Sequence, residues 1–434
     1  MPETSPSDRL VHEPCDVLVI GGGPAGSTAA ALLAERGRDV VMIEKETHPR
    51  FHIGESLLPR NLAIFDRLGV RAAVEAIGVF KPGAEFVLDD EAGRSQTFRF
   101  ADALDQRFTH SYHVRRDEFD ALLFETARSR GVRTWEGVRV SDIRLGSPGT
   151  LAEALCADGT ALRVAPRFVL DASGRDTFLA SRLKLIATDK NNNTAAVFAH
   201  FRGVESRTDD RAGCISIHLV DDGWFWVIPL ADNVTSVGFV GTARAFKSRG
   251  DLPLRAFLSQ RIAASPTMAA RMARAELCSE VRGAGNYSYR ARSSWGEGYM
   301  MIGDAFGFID PVFSSGVLLA MSAGEMGADV ASLWLDDPAR ARALARRSER
   351  RIRRGMDQLS WLIYRINDPV LREIFMAPRN YLRMRDGVVS VLAGNLDDGM
   401  RPNLPMLAFK TIFRICSLAR RLGIPVRLSP VEAS

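Results

Sequence analysis

The residues that first point to chemistry are three glycines with an acidic residue downstream. Gly21, Gly23 and Gly26 form a G-x-G-x-x-G motif, and Glu44 follows Gly26 by 18 residues. The glycines permit a tight turn and a close approach of the backbone to a pyrophosphate, and Glu44 can accept a hydrogen bond from a ribose hydroxyl. A glycine-rich turn without a ligand is the alternative, but the acidic residue at this spacing favours a dinucleotide site.

A second candidate is Lys81, the only cation in the segment FKPGAEF at 80–86. A solvated lysine on a turn between two strands is the simplest interpretation, because lysine is rarely fully buried. Pro82 biases Lys81 toward an extended backbone. If the side chain is instead enclosed in a dry passage, loss of hydration lowers its pKa and makes the free amine accessible.

Two further stretches group aromatic and small residues. In WFWVIP at 224–229, Trp224, Trp226 and Ile228 share one face of a strand, although core packing is a common reason for such a pattern. FIDPVFSSG at 308–316 comes directly before an apolar helical run. The first N–H groups of that helix can bind an anion.

Alternating strands and helices must position these residues. DVLVI at 16–20 is predicted to be a buried strand, followed by a helix that stops at Gly37 and a second strand at 39–45. This β-α-β unit has the length of a dinucleotide-binding start. We also predict a helix at 115–132, a strand at 167–174, several strands within 185–285, and a strand, turn and long helix at 299–335.

Composition indicates an ordinary globular protein. The 434 residues are 46% hydrophobic and 25% charged, with a net charge of +5. The five cysteines are scattered, which argues against a disulfide framework or a zinc site, and we expect no bound metal. No signal peptide is evident, and the uncharged stretch 17–34 is interrupted by glycines and proline. We therefore expect a cytoplasmic protein with no transmembrane segment and no nucleic-acid partner.

The chain beyond residue 338 is predicted to be helical. Residues 340–354 carry eight arginines against one acid, Glu349. A solvated helix face is the default interpretation, and a docking face for an acidic protein is the alternative. A later stripe of Phe409, Ile412, Phe413 and Cys416 is expected to pack onto the body of the protein rather than on a membrane.

Several motifs resemble those of two related groups of flavoproteins. Arg116-x-x-Phe119-Asp120, Gly303-Asp304 and DASGR at 171–175 resemble motifs of the FAD-dependent monooxygenase-type superfamily. The W-x-W-x-I-P stretch at 224–229 and the F-x-x-P-x-x-S-x-G stretch at 308–316 resemble flavin-dependent halogenases. HIGESLLP at 52–59 and FKPGAEF complete the set, which is most similar to the branch that acts on phenolic or pyrrolic substrates.

The resemblance assigns roles to individual residues. It implies that Lys81 is catalytic and that the backbone amides of Ser315 and Gly316 bind a halide. The active site is expected to be lined by Trp224, Trp226, Pro311 and Phe313. The residues expected to bind FAD are Gly21, Gly23, Ala25, Gly26, Glu44, Lys45, Arg116, Asp171, Gly303, Asp304 and Gly316.

The implied reaction uses reduced FAD, oxygen and chloride or bromide. These yield hypohalous acid, which Lys81 guides to an electron-rich aromatic ring. Phe313 stands where tryptophan halogenases carry a glutamate, which disfavours free tryptophan as the substrate. The branch also implies a role in secondary metabolism and a substrate that is free or tethered to an acyl or peptidyl carrier protein. A second G-x-G-x-x-G is absent, so we expect a separate flavin reductase to supply FADH2.

The predicted fold is α/β. We expect a Rossmann-like FAD-binding domain of the glutathione-reductase and p-hydroxybenzoate-hydroxylase type, an inserted β-sheet substrate region and a helical C-terminal region. After a tail at 1–12, the FAD domain comprises 13–80, 110–184 and 286–338. The substrate region comprises 81–109 and 185–285, and the C-terminal region 339–434.

Three functions stay open at this point. An FAD-dependent halogenase is favoured. An FAD-dependent aromatic monooxygenase, or an oxidoreductase of the geranylgeranyl-reductase type, would leave Lys81 without a special role. A catalytically silent flavoprotein that serves as a binding partner is the third.

Overall fold

A computed structural model describes residues 10–90, 93–146, 149–156, 158–188, 194–285, 288–366, 368–376, 380–396 and 404–424. The strands in these ranges are β1 Leu10–Ile20, β2 Val40–Glu44, β3 Val79–Lys81, β4 Gly83–Leu88, β5 Ser95–Arg99, β6 Ser111–His113, β7 Arg133–Glu136, β8 Val138–Arg144, β9 Leu151–Cys156, β10 Ala161–Asp171, β11 Ile186–Thr188, β12 Thr194–Arg202, β13 Ile215–Val220, β14 Gly223–Pro229, β15 Val234–Thr242, β16 Glu276–Leu277, β17 Arg282–Gly285, β18 Tyr289–Ala291, β19 Trp295–Gly296, β20 Tyr299–Met301 and β21 Gly307–Phe308.

The α-helices in the same ranges are α1 Pro24–Glu35, α2 Asn61–Leu68, α3 Arg71–Ile77, α4 Arg116–Ser129, α5 Phe178–Arg182, α6 Ala243–Lys247, α7 Leu254–Ala263, α8 Pro266–Arg271, α9 Gly316–Asp336, α10 Pro338–Ile363, α11 Pro369–Met376, α12 Met384–Leu392 and α13 Leu404–Arg421.

The first sheet is the scaffold of a dinucleotide-binding fold. Its strand order is β19-β20-β10-β1-β2-β7, with β9 pairing to β10 and β8 to β9. The pairings of β1 with β2 and β10, and of β10 with β20, are parallel, and helices α1 and α9 contact each other beside this sheet. The predicted α/β class and Rossmann-like domain are therefore confirmed.

The opening β-α-β unit follows from its residue types. The apolar runs of β1 and β2 are buried and lie side by side, with Val17 opposite Val40. Helix α1 ends because Gly37 has a φ of +74°, and the N–H groups of Gly37 and Arg38 bond back to the carbonyls of Ala34 and Leu33. Strand β1 begins at Leu10, so residues 10–12 belong to the sheet and not to the predicted tail.

The second large sheet has the order β16-β12-β15-β14-β13-β4-β5, with β17 also pairing to β12. It joins the segment after Lys81 to the middle of the chain through parallel pairing of β4 with β13. Strand β3, which ends at Lys81, pairs instead with β6 in a separate two-stranded ribbon. Lys81 therefore lies where the chain passes from the two-stranded ribbon into the second large sheet.

The C-terminal helices pack on the body of the protein, as predicted for the apolar stripe of α13. The buried residues of α13 are Met406, Phe409, Phe413 and Cys416. Trp361 of α10 meets Phe409 and Phe413 edge to face, at ring-centroid distances of 6.2 and 5.4 Å. In the part of the chain that the structure describes, we find no helix with the length and apolar character needed to cross a membrane.

Candidate active site

A cavity of about 730 Å³ lies between the two large sheets. Its wall combines the glycine-rich turn after β1, the end of β2, residues 50–56, the loop after β10, one face of β14 and the start of α9. Segments far apart in the sequence thus meet around one volume that is large enough for a dinucleotide.

The glycine-rich turn is shaped for close backbone approach. Gly21 has a φ of +105°, and a Cβ atom on it would lie 2.3 Å from the carbonyl oxygen of Ala172. A Cβ atom on Gly26 would lie 1.9 Å from the oxygen of Gly21, so Gly26 serves packing between helix and strand. Helix α1 begins at Pro24 with no side-chain cap, which leaves N–H groups free at the cavity.

Glu44 lies where a ribose-binding carboxylate is expected. It lines the cavity, its Oε2 accepts from the N–H of Gly22 at 2.7 Å, and its Oε1 accepts from the N–H of Glu46 at 3.0 Å. Arg50 lies 3.7 Å from the same carboxylate and 3.2 Å from that of Asp120. Each carboxylate oxygen keeps lone pairs that a sugar hydroxyl can use.

Arg116 anchors the cavity-lining segment 50–56 through a hydrogen bond to Ile53. Its Nε and Nη2 donate to both oxygens of Asp120 at 2.8 and 2.9 Å, and its Nη1 donates to the carbonyl of Ile53 at 2.7 Å. The guanidinium stabilises the charged form of Asp120, so the pKa of that carboxyl is lowered although burial opposes the shift. Gly54 leaves room for this guanidinium, because a Cβ atom at position 54 would lie only 2.9 Å from Arg116 Nη1.

Two aspartates follow strands that end at the cavity. Asp304 lines it, and burial raises the pKa of its carboxyl to about 6. Asp171 is fully buried behind the wall, where its oxygens accept from the N–H groups of Ser173 and Leu179 at 2.9 and 2.7 Å. Asp171 thereby orients the loop 172–176, whose residues do line the cavity.

The start of α9 is a second uncapped helix N-terminus at the cavity. Ser314 has a φ of +57°, which turns the chain sharply before the helix. Ser315 is the N-cap residue without a side-chain cap, it is fully buried, and its Oγ has no partner among the described residues. A Cβ on Gly316 would meet nothing within 4 Å, so the backbone there faces open space.

The aromatic wall is built by β14, as its alternation predicts. Trp224, Trp226 and Ile228 all line the cavity. The Nε1 of Trp226 donates to Ser236 on the neighbouring strand at 3.0 Å. Opposite Trp226 stands Gly238, where a Cβ would lie 2.2 Å from the indole ring.

Lys81 is enclosed rather than solvated. Its side chain is 1% exposed, and Nζ donates to Ser56 Oγ and to the carbonyl oxygen of Leu57, each at 2.8 Å. Nζ also lies 5.2 Å from the ring centre of Phe100. This enclosure makes the interpretation as a solvated turn lysine wrong. Burial also lowers the pKa of Lys81 from 10.5 to about 7.

The structure brings most of the predicted site residues to the cavity. Those that line it are Gly21, Gly23, Ala25, Glu44, Lys45, Arg116, Trp224, Trp226, Asp304 and Gly316. The other predicted residues are not part of its lining: Gly26, Lys81, Asp171, Gly303, Phe313 and Ser315. The side chain of Pro311 lies outside the described part of the chain.

The segment 50–56 contributes site residues that sequence reasoning did not assign. Arg50, Glu55 and Ser56 line the cavity. Glu55 is 1% exposed, its Oε1 lies 2.7 Å from His200 Nε2, and its Oε2 has no partner among the described residues. The motif HIGESLLP indicated that this segment belongs to the family pattern, but its sequence does not show which side chains face the cavity.

The cavity fits FAD on its own geometry. It offers the free N–H groups of α1 to a pyrophosphate, the carboxylate of Glu44 to a ribose and the carboxyl of Asp304 to a polyol chain. The open space over Gly316 admits a planar ring beside the start of α9.

Comparison with known proteins agrees with this geometry. The sequence matches the tryptophan halogenase family over residues 16–107 and 96–367. It is 36% identical over 317 residues to the tryptophan 2-halogenase of Chondromyces crocatus, a match that covers 72% of this chain and 60% of that protein. The chain thus matches less than two thirds of the length of that relative.

Two further similarities extend over nearly the whole chain. The 1H-pyrrole-2-carbonyl-[peptidyl-carrier protein] chlorinase of Pseudomonas fluorescens is 30% identical over 413 residues, which cover 89% of this chain and 90% of that protein. The crystal structure of a flavoprotein/dehydrogenase from Cytophaga hutchinsonii superposes with a TM-score of 0.85 at 29% identity, and covers 94% of this chain and 100% of that one.

Proposed function

The chain belongs to the tryptophan halogenase family of flavin-dependent enzymes, and on this premise we propose that it halogenates an electron-rich aromatic substrate. The observation that carries the proposal is the position of Lys81, which is buried one side chain away from a cavity that fits FAD. Lys81 is assigned the task of holding hypohalous acid near the ring.

FAD would be held by the residues that line the cavity. The N–H groups of α1 bind its pyrophosphate, Glu44 its ribose and Asp304 its ribityl chain. When bound and reduced, FAD supplies, with oxygen, the oxidising equivalents that convert a halide into hypohalous acid. The chain contributes the binding, the orientation and the exclusion of water.

The halide site is assigned to the start of α9. The backbone N–H groups of Ser315 and Gly316 are free of side-chain caps, and the helix N-terminus carries positive partial charge. The unpartnered Oγ of Ser315 is a further donor at this point. Chloride or bromide would be held there by hydrogen bonds from neutral groups.

Lys81 can handle hypohalous acid in either protonation state. As an ammonium it donates a hydrogen bond that polarises the oxidant. As an amine it attacks the halogen, so that an N–halogen bond forms, the halogen–oxygen bond breaks and water leaves. With a pKa of about 7, both forms are populated near neutral pH.

The substrate is proposed to be a phenol or a pyrrole. Phe313 stands at the position of the glutamate of tryptophan halogenases, and it is buried against Phe86 at a centroid distance of 6.3 Å. The site therefore lacks a carboxylate there to help deprotonate a less activated ring. Trp224 and Trp226 provide flat apolar surface for an aromatic substrate.

Two partners are proposed. A separate flavin reductase would supply FADH2. A peptidyl or acyl carrier protein would present the ring, because the similar Pseudomonas enzyme is a chlorinase of a pyrrole carried by a peptidyl carrier protein. The arginines of α10, several of them exposed, are compatible with an acidic partner.

The test is a reconstituted reaction with a flavin reductase, NADH, FAD and either chloride or bromide. The substrates are phenols and pyrroles, free and carrier-bound, and halogen isotope patterns in the products are read by mass spectrometry. We expect Lys81→Ala to lower the rate by about 10²-fold or more while FAD still binds. The exposed Lys247, changed to Ala, is the control.

The pH dependence distinguishes the two states of Lys81. If the amine is the reactive form, the rate rises as pH increases through about 7, and if the ammonium is required, it falls over the same range. Product formation at the normal rate by Lys81→Ala would contradict the proposed role.

An FAD-dependent dehydrogenase or monooxygenase is the second candidate, favoured by the name of the similar Cytophaga flavoprotein. It predicts rapid reduction of bound FAD by NAD(P)H alone and turnover that is independent of halide. Stopped-flow measurement of the absorbance of oxidised flavin after mixing with NAD(P)H, with and without halide, separates the two.

A further inference from the structure

Ser56 is the polar side chain that contacts both Lys81 and the cavity. Its Oγ accepts from Lys81 Nζ at 2.8 Å, and Ser56 itself lines the cavity wall. Lys81 does not line the cavity and is only 1% exposed. Ser56 therefore forms a direct hydrogen-bonded connection between Lys81 and the cavity wall.

The backbone places the side chains of Ser56 and Lys81 on the same face of β6, because their partners His113 and Ser111 are two residues apart on that strand. Ser56 forms an isolated antiparallel bridge with His113, flanked by hydrogen bonds from Leu57 to Tyr112 and from Val114 to Glu55. In this arrangement Ser56 and His113 are a non-hydrogen-bonded pair, the type in which side chains approach most closely. On the other edge of β6, Lys81 stands opposite Ser111.

In the hydrogen bonds of Ser56, Lys81 and His113, the hydroxyl hydrogen of Ser56 is a donor without an assigned acceptor. Because Ser56 Oγ accepts from the ammonium of Lys81, its own hydroxyl hydrogen is free to point to another acceptor. His113 Nε2 must carry a hydrogen, since its partner, the carbonyl of Gly213 at 2.9 Å, can only accept. His113 Nδ1 is then an acceptor, and it has no partner among the described residues.

We propose that Ser56 is a positioning residue that relays protons between Lys81 and the cavity. In the relay, a hydrogen of the ammonium moves to Ser56 Oγ while the hydroxyl hydrogen of Ser56 moves to a water molecule in the cavity. The products are a lysine amine, an intact serine hydroxyl that now donates to that amine, and a hydronium ion. The importance of the relay for halogenation rests on the proposed function, but its existence does not.

The other groups around Lys81 do not change charge near neutral pH. His113 of β6 is buried, and burial together with Lys81 holds its pKa well below the ordinary value. Cys214, directly before β13, has its pKa raised to about 11, mainly by burial. Ser111 and Phe100 do not titrate in this range. Near neutral pH, Lys81 is thus the group in this cluster that changes charge.

The test measures Lys81 directly by nuclear magnetic resonance on protein with lysine labelled at 13Cε and 15Nζ. Assignment is practical because the lysines of the sequence are few: Lys45, Lys81, Lys184, Lys190, Lys247 and Lys410. The signal missing from Lys81→Met identifies Lys81. The titration of its Cε shift gives the pKa, and its Nζ hydrogens give the rate of exchange with water.

We expect Ser56→Ala to slow the exchange of the Lys81 hydrogens at least about tenfold, because the hydroxyl that carries them is gone. The pKa of Lys81 should fall by about one unit, since an acceptor of the charged form is removed. Ser56→Thr, which keeps a hydroxyl, should restore both. Ser111→Ala is the matched control, because Ser111 is equally buried opposite Lys81 but its Oγ has no described partner.

Unchanged exchange and pKa in Ser56→Ala, or equal effects in Ser111→Ala, would overturn the proposal. Neither measurement needs turnover, so the relay can fail while the halogenase function stands, or the reverse. If both hold, Ser56→Ala should also lower the rate of halogenation, and Ser56→Thr should recover it.

Discussion

Lys81 shows how a single cation is kept inside an apolar region. Its ammonium has two hydrogen-bond acceptors, Ser56 Oγ and the carbonyl of Leu57, and the face of the Phe100 ring lies 5.2 Å away. Among the described residues, no carboxylate contributes to the pKa of Lys81; besides burial, only Cys214 acts on it. Burial therefore dominates, and the pKa falls to about 7.

This pKa makes the stability of the protein depend on pH. The unfolded lysine has the ordinary pKa of 10.5, so between about 7 and 10.5 the unfolded state binds more protons and the stability of the protein rises with pH. Lys81→Met removes this dependence. We expect the variant to be more stable than the wild type by a few kcal/mol at pH 6, with the advantage shrinking toward pH 10.

Denaturant unfolding of both proteins at pH 6 and at pH 9 to 10 checks this expectation, with Lys247→Met as the exposed control. An advantage of Lys81→Met that stays constant with pH would mean that the lysine is not held with a lowered pKa.

At the scale of elements, a pair of neighbouring strands sets the shape of the aromatic wall. Strand β14 presents Trp224 and Trp226 to the cavity, and β15 provides the glycine over which Trp226 lies. The indole occupies the space of a side chain on Gly238, and its N–H is satisfied by Ser236 of the same strand. The position of Trp226 is therefore decided by β15.

Gly238→Ala should displace the indole of Trp226, because the new Cβ would lie 2.2 Å from it. We expect the KM for the aromatic substrate to rise about tenfold, a loss of about 1.4 kcal/mol, with FAD binding unchanged. Gly285→Ala on β17 is the control in the same sheet, since a Cβ there meets nothing within 4 Å. Steady-state kinetics and tryptophan fluorescence would detect the change, and equal KM values for the two variants would contradict it.

At the scale of the whole molecule, the C-terminal helices support the sheet that follows Lys81. Phe375 of α11 packs on Phe86 of β4 and Phe98 of β5, with ring-centroid distances of 4.7 and 4.5 Å. Helix α12 contacts residues 100–102, which include the Phe100 ring beside Lys81. The helical region is thus part of the support of the active site rather than an appendage.

Phe375→Ala should create a cavity under β4 and β5 and lower the free energy of unfolding by about 3 to 5 kcal/mol. Because Phe375 lies far from the glycine-rich turn in the sequence and does not line the cavity, FAD affinity should change little. Leu382→Ala is the control, as Leu382 is 75% exposed. Denaturant unfolding and flavin titration measure the two effects. A large loss of FAD binding without loss of stability would contradict the role of Phe375 as a support of the sheet.

The sequence by itself determined the local elements and the class of cofactor. The spacing of Gly21, Gly23, Gly26 and Glu44 predicts a strand, turn, helix and strand, because each glycine has a steric task within that short unit. The alternation in WFWVIP likewise predicts which side chains share a face, since the period of a strand is two. These are short-range consequences of backbone geometry, and the structure confirms them.

Only the tertiary structure decided which polar groups meet. The burial of Lys81 depends on Ser56, Leu57 and Phe100, which reach it from other segments of the chain. The position of Asp171 behind the wall and of Glu55 on the wall likewise depends on which N–H groups and rings surround each carboxyl. A pKa is set by that full three-dimensional surrounding, which sequence spacing alone does not specify.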